Sequence, residues 1–148
     1  FKTDSSALNV IANTVELEGS VRSLDEDMRD LVQERLHQVA EGTAAANQCE
    51  ITIEYERGYP ITDNNEEATQ HAISVASSVS EVDTDTPPIM PSEDFAYMLM
   101  EKPGAFIFLG NGDSQMLHNP EYIFDDEAIP FGSSWYAGMV EERLPITG

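Results

Sequence analysis

One loop in this chain carries side chains that read as chemistry: Leu117-His118-Asn119-Pro120, running into Phe124-Asp125-Asp126-Glu127. A neutral imidazole is a common ligand for divalent cations, and carboxylates behind it can sit in the surroundings of such a site. The plainer alternative is a loop histidine hydrogen-bonded to a carboxylate, and spacing alone favours it. His37 and His71 fall inside helical patterns and read as surface residues. The three histidines therefore do not assemble into one site on paper.

Two further groupings are chemically suggestive. Ser92-Glu93-Asp94-Phe95 reads first as a helix start, with Ser92 as N-cap and acids in the first turn. Its functional alternative places Glu93 and Asp94 near a cation, or the helix N-terminus near an anionic group. Ser92 has no identifiable base and no flanking glycines of the nucleophile-elbow type. Arg22 and Asn9 form the other pair. An arginine at the wet end of a strand is either a salt-bridge partner or a bidentate fork for a substrate carboxylate, helped by an asparagine amide.

These residues need elements to place them. Val15, Leu17, Gly19 and Val21 alternate with polar neighbours, which predicts a half-buried strand ending at Arg22. Ser23 and Glu26 then fit a capping box, and Leu24, Met28, Leu31, Val32, Leu36 and Val39 form a helical stripe that Gly42 would stop. Ile51, Ile53 and Tyr55 predict a second one-sided strand, with Cys49 half-buried at its start. Strand, helix and strand together suggest a sheet-on-helix α+β layer.

After the turn-rich run Gly58-Tyr59-Pro60-Ile61-Thr62-Asp63-Asn64-Asn65, a helix capped by Asp63 and Glu66 would bury Ala72, Val75, Ala76 and Val79. Ala105-Phe106-Ile107-Phe108-Leu109 predicts a strand covered on both faces. A final helix is expected from Asp125 or Asp126, with Pro130 in its first turn and Ile129, Tyr136, Met139, Val140 and Leu144 packed. His118 then lies beyond the C-terminal end of a buried strand, where α/β sheets place ligands.

Composition bounds the partners. The 148 residues carry 28 acids against 7 bases, a formal net charge of -21. Such a field repels nucleic acid and anionic lipid. It also suggests adaptation to high salt, where self-repulsion is screened. No apolar run approaches the ~20 residues of a membrane span. The single cysteine excludes an internal disulfide and points to a reducing, cytoplasmic setting. The start at Phe1, with no signal pattern, is what a piece of a longer chain would show.

Four segments carry a resemblance to metal-dependent N-acyl-amino-acid amidohydrolases, the metallopeptidase group that includes hippurate hydrolases, aminoacylases and plant auxin-conjugate hydrolases. They are Asn9-Val10-Ile11 with Gly19-Ser20-Val21-Arg22, Gly58-Tyr59-Pro60 with Asn64, Ser92-Glu93-Asp94-Phe95-Ala96, and Leu117-His118-Asn119-Pro120 with Phe124-Asp125-Asp126-Glu127. Their order and spacing match along essentially the whole chain. The last two are specific in combination.

The resemblance implies a two-domain α/β enzyme: a catalytic domain holding two divalent metals, zinc or manganese, and an inserted α+β lid that makes a homodimer. Residues 1–60 would be the second half of the lid and residues 61–148 the closing segment of the catalytic domain. His118 matches the last metal-ligand histidine. Arg22 and Asn9, thirteen positions apart, match the residues that hold the substrate's free carboxylate. Glu93 and Asp94 carry over only as near-site positions. The implied reaction is amide hydrolysis by a metal-bridging water with a glutamate as general base, on an N-acyl amino acid or small peptide.

Pro91 and Ala12 depart from the family pattern, which favours a small residue and a proline there. The family's Cys-x-His pair, Glu-Glu pair and second ligand histidine are absent, so the chain by itself is expected to be inactive and to hold no metal of its own. A reading of another class is a non-catalytic dimerisation module, with the lid strand pairing edge to edge.

Overall fold

The structure, a computed structural model, describes residues 1–146 and divides into two compact units, Phe1–Tyr55 and Glu56–Gly148. The regular elements are mainly helices, and the sheet among the described residues has only two strands.

In the first unit β1 (Lys2–Thr3) and β2 (Val15–Glu16) pair antiparallel, with Lys2 opposite Glu16 and Thr3 opposite Val15. The carboxylate of Asp4 ties the intervening loop. Its Oδ1 accepts from the backbone N–H of Asn13 at 3.0 Å and of Thr14 at 3.3 Å. These bonds, that from Thr14 foremost, favour the ionised form and hold the Asp4 carboxyl below its usual 3.8.

Helix α1 (Glu26–Asn47) starts two residues later than the capping box required. Asp25 is its N-cap, accepting from Met28 N–H at 2.7 Å. Ser23 instead bonds Asp25 itself, its hydroxyl donating to the carbonyl at 2.6 Å and accepting from the N–H at 3.1 Å. Gly42 does not stop the helix. A mid-helix glycine costs only about 1 kcal/mol relative to alanine, and the alanines that follow favour continuation. The helix ends at Gln48, in the left-handed region at φ 55°, whose N–H returns to the Ala44 carbonyl.

The second unit contains α2 (Glu66–Val79), α3 (Phe95–Glu101) and α4 (Ala128–Arg143). Asn65, not Asp63, caps α2, accepting from Ala68 N–H at 3.0 Å. Pro130 sits in the first turn of α4, as its missing N–H demands. Helices α2 and α4 pack together. On α2 the contact face holds the expected Ala72 and Val75, both buried. On α4 the face differs from expectation: Ile129, Tyr136, Val140 and Leu144 are exposed, Tyr136 by 69%. Small and flat groups meet α2 instead. Trp135 Nε1–H donates to the Ala72 carbonyl at 3.1 Å, and Gly138 lies against Val75.

The three strands expected at Val15–Val21, Ile51–Tyr55 and Ala105–Leu109 do not form as such; only Val15–Glu16 pairs. Cys49, expected half-buried at a strand start, is exposed just after α1. Apolar alternation supplies a face, but a strand also needs a neighbouring backbone for its N–H and C=O groups. The described residues offer that neighbour only at β1. Residues 104–106 come nearest to it: Asn65 N–H donates to the Gly104 carbonyl, and the Asn64 amide bonds both polar groups of Phe106.

Little apolar surface is buried. The buried hydrophobic side chains among the described residues are Ala44, Ala72, Val75, Ala96 and Ala128. The accessible surface is 12527 Å², against about 7,500 Å² for a folded monomer of this mass. Met28, Leu31, Leu36 and Val39 of the α1 stripe, and Phe108 and Leu109, face outward.

Candidate functional site

The loop that carries His118 is built by backbone turns and two polar side chains. Asn111 Nδ2–H donates to the Ile123 carbonyl at 2.7 Å, and its Oδ1 accepts from Asp125 N–H at 2.8 Å. Ser114 Oγ accepts from Ile123 N–H at 2.9 Å. Ile123 is thus held at both of its backbone groups. Within the loop, Asn119 N–H donates to Met116 O at 3.1 Å and Tyr122 N–H to Asn119 O at 3.0 Å. The Asn119 side chain accepts from Glu121 N–H at 2.9 Å.

His118 occupies the third position of the Met116–Asn119 turn with φ 68°. That position in a turn with positive φ is usually glycine or asparagine. A histidine tolerates it better than a branched residue would, yet the left-handed region still costs on the order of 1–2 kcal/mol. The imidazole is exposed, leaving it open to a ligand from outside the loop. Asp125, behind it, is occupied locally, its Oδ1 accepting from Glu127 N–H at 2.9 Å.

Glu93 and Asp94 lie at the start of α3. Ser92 does not cap this helix. The half-buried Glu93 does, its Oε1 accepting from Phe95 N–H at 3.1 Å. Asp94 occupies the N-cap position without a side-chain capping bond. Asn9 and Arg22 belong to the first unit, and both are exposed, Asn9 between β1 and β2 and Arg22 between β2 and α1.

Among the described residues no group of three or more His, Cys, Asp and Glu side chains converges as a metal site. His118 offers one nitrogen donor of the kind a divalent cation takes, and a four-coordinate site needs more. The described residues alone therefore do not fit a metal ion.

A polar cluster absent from the sequence reading joins α2 to α4. His71, expected at the surface, is half-buried. Its Nδ1 lies 2.6 Å from Glu142 Oε1 and its Nε2 2.7 Å from Arg143 Nη1. A guanidinium only donates, so Nε2 accepts and the ring proton sits on Nδ1, donating to Glu142. Glu67 lies 3.8 Å from Nε2. Glu142 and Arg143 come from a second helix, so no local pattern reveals them. His37, also expected at the surface, is half-buried with Nδ1 2.9 Å from the Gln33 carbonyl oxygen.

Among the described residues no helix is long and apolar enough to cross a membrane.

Comparison with known proteins places the chain. The model of peptidase family M20/M25/M40 matches residues 5–142. A hippurate hydrolase of Campylobacter jejuni is 35% identical over 141 residues, covering 93% of this chain and 37% of the relative. N-acetyldiaminopimelate deacetylases are similar: that of Pediococcus pentosaceus is 33% identical over 138 residues (92% of this chain, 36% of the relative), and that of Streptococcus suis 37% identical over 125 residues (83% and 33%). No solved structure matches significantly. The chain thus spans about a third of the length of these curated relatives. With a family match over nearly its whole length, the chain belongs to peptidase family M20/M25/M40.

Proposed function

We propose that this chain is the lid-and-closing portion of a metal-dependent amidohydrolase that cleaves the amide bond of N-acyl amino acids or small peptides with a free carboxylate. The observation that carries the reading is His118. A non-glycine residue is held at φ 68° at the tip of a tied loop, with its imidazole exposed. Local strain of this kind persists where the surrounding structure over-determines it, and it is a pointer to function.

In this reading His118 is one ligand of a pair of divalent cations, zinc or manganese, whose other ligands and whose general-base glutamate lie elsewhere in the complete protein. When bound, such cations supply Lewis acidity to the scissile carbonyl. Arg22 and Asn9 hold the substrate carboxylate by a charge-assisted fork and an amide. Glu93 and Asp94 stand near the site, with no role assigned to either. Hippurate and N-acetyldiaminopimelate, which name the relatives, are both N-acyl amino acids, and this supports the substrate class.

The outward apolar faces of α1 and of residues 107–109 support a role as part of a larger body. We place homodimer contacts on the first unit and the enzyme in the cytoplasm, the latter because a reducing compartment suits the exposed free thiol of Cys49.

The test is made in the full-length protein with hippurate and divalent cations. Hydrolysis is expected, and His118→Ala should lower it by about a hundredfold or more, beyond the range for residues that merely orient a ligand. Full retained activity in His118→Ala removes the ligand role. The 148-residue chain alone should neither hydrolyse hippurate nor bind zinc stoichiometrically in calorimetry.

A further inference from the structure

We propose that Asn111 is the positioning residue for His118. The inference rests on the functional reading of His118 and adds a residue to it. The argument is geometric. Residues 111–125 leave and return to nearly the same point, because the Asn111 amide bonds Ile123 O at 2.7 Å and Asp125 N–H at 2.8 Å. His118 is the midpoint of that segment. Surface loops of this size with their ends close together frequently carry function.

The neighbouring residues serve the same closure. Gly112, immediately after Asn111, turns the chain at φ 69°, and a Cβ there would face Asp125 Oδ2 at 3.6 Å. Ser114 Oγ takes the Ile123 N–H at 2.9 Å, so both polar groups of Ile123 depend on this side of the loop. Asn111 and Ser114 are half-buried, whereas the loop from Gln115 to Glu121 is exposed. The tie is therefore the ordered base on which an exposed imidazole stands. An asparagine is suited to this because one planar amide supplies a donor and an acceptor that match a backbone C=O and N–H two residues apart.

The experiment uses the full-length enzyme, with Asn111→Ala, Asn111→Asp and His118→Ala assayed in parallel. Asn111→Ala should lower kcat by about 10- to 100-fold, the usual effect of losing a group that orients a ligand. KM should change little, because the substrate carboxylate is held elsewhere, and Tm should fall by only the few degrees that two lost hydrogen bonds cost. A purely structural role would lower Tm to the same extent and leave kcat and KM at the parent's values below the melting transition. Asn111→Asp keeps the acceptor for Asp125 N–H and loses the donor to Ile123 O, so it should fall between the parent and Asn111→Ala. Hydrogen exchange at the Asp125 amide should quicken in the same order.

An inactive His118→Ala beside a fully active Asn111→Ala overturns this inference and leaves the ligand reading standing. A fully active His118→Ala overturns the ligand reading and the inference with it. Should Asn111→Ala fail to fold, the Asp variant decides: parent-like kcat overturns the inference, and an intermediate kcat supports it.

Discussion

Gly138 of α4 faces Val75 of α2 so closely that a Cβ at position 138 would stand 2.7 Å from Val75 Cγ1. The two helices approach on this glycine, and Trp135, one turn earlier, fixes their register by donating to the Ala72 carbonyl at 3.1 Å. Val75 is 5% exposed, so it has little room to yield.

Gly138→Ala should therefore destabilise the protein, although alanine is the better helix former. Overpacking costs about 1–3 kcal/mol, against a gain of about 1 kcal/mol in helix propensity. Denaturant unfolding of the full-length variant should show a lower midpoint at unchanged slope. Adding Val75→Ala opens the space, so the double variant should lose less than the two single losses together. Strict additivity would mean the two residues do not touch.

Asn64 ties another segment of the second unit. Its Oδ1 accepts from Phe106 N–H at 2.7 Å and its Nδ2–H donates to Phe106 O at 2.9 Å. Removing both bonds in Asn64→Ala should cost about 1–3 kcal/mol, at about 0.5–1.5 kcal/mol for each net hydrogen bond. Asn64→Asp keeps one bond and should fall between the two. Equal stability of the parent and Asn64→Ala would show that the residues around Phe106 are held by packing, with Phe95 and Phe108 as ring neighbours.

These contacts show where sequence is readable and where it is not. The stripe Ala72, Val75, Ala76 and Val79 is legible because a helix closes its own hydrogen bonds and its periodicity alone reports the buried face. The α4 face is not legible. The large residues that mark a helix face by hydrophobicity, Tyr136 and Val140, point outward, while Trp135 and Gly138 make the contacts with α2. The strands fail for a different reason, since Ala105–Leu109 carries the right composition without a paired neighbour among the described residues. At the candidate site, the identity of His118 is visible in the sequence, but its φ of 68° and the Asn111 tie are not. Asn111 reads only as a turn former in Gly110-Asn111-Gly112-Asp113.

Asp4 makes the β1–β2 pairing sensitive to acid. Backbone bonds from Thr14 and Asn13 depress its folded pKa below 3.8. A depressed carboxyl contributes stability that is fully present above the unfolded value and is lost as pH falls through the folded value. Protection of the Thr14 amide from hydrogen exchange should therefore hold from neutral pH down to about 4 and decline below it. Asp4→Asn keeps an acceptor oxygen but has no charge to lose, so its protection should lack the acidic step. The same step in both proteins would assign it to another carboxylate.

The charge of -21 makes the strongest claim about conditions. The Debye length falls from about 30 Å at 0.01 M salt to about 3 Å at 1 M. Repulsion among exposed carboxylates should thus weaken steadily, and Tm should rise from low salt to molar KCl. The helices sharpen this into a residue-level test. Exposed Glu101 ends α3 and exposed Glu141 lies in the last turn of α4, where the helix dipole disfavours an acid, and α1, α2 and α3 have no basic residue in their last turns. Glu101→Gln and Glu141→Gln should each stabilise at low salt by about 0.3–1 kcal/mol. Their advantage should vanish in 1 M KCl, where the parent is already screened. A Tm that stays flat with salt, or a glutamine advantage that survives at 1 M, would mean that the acidity is a solvated surface with no bearing on salt tolerance.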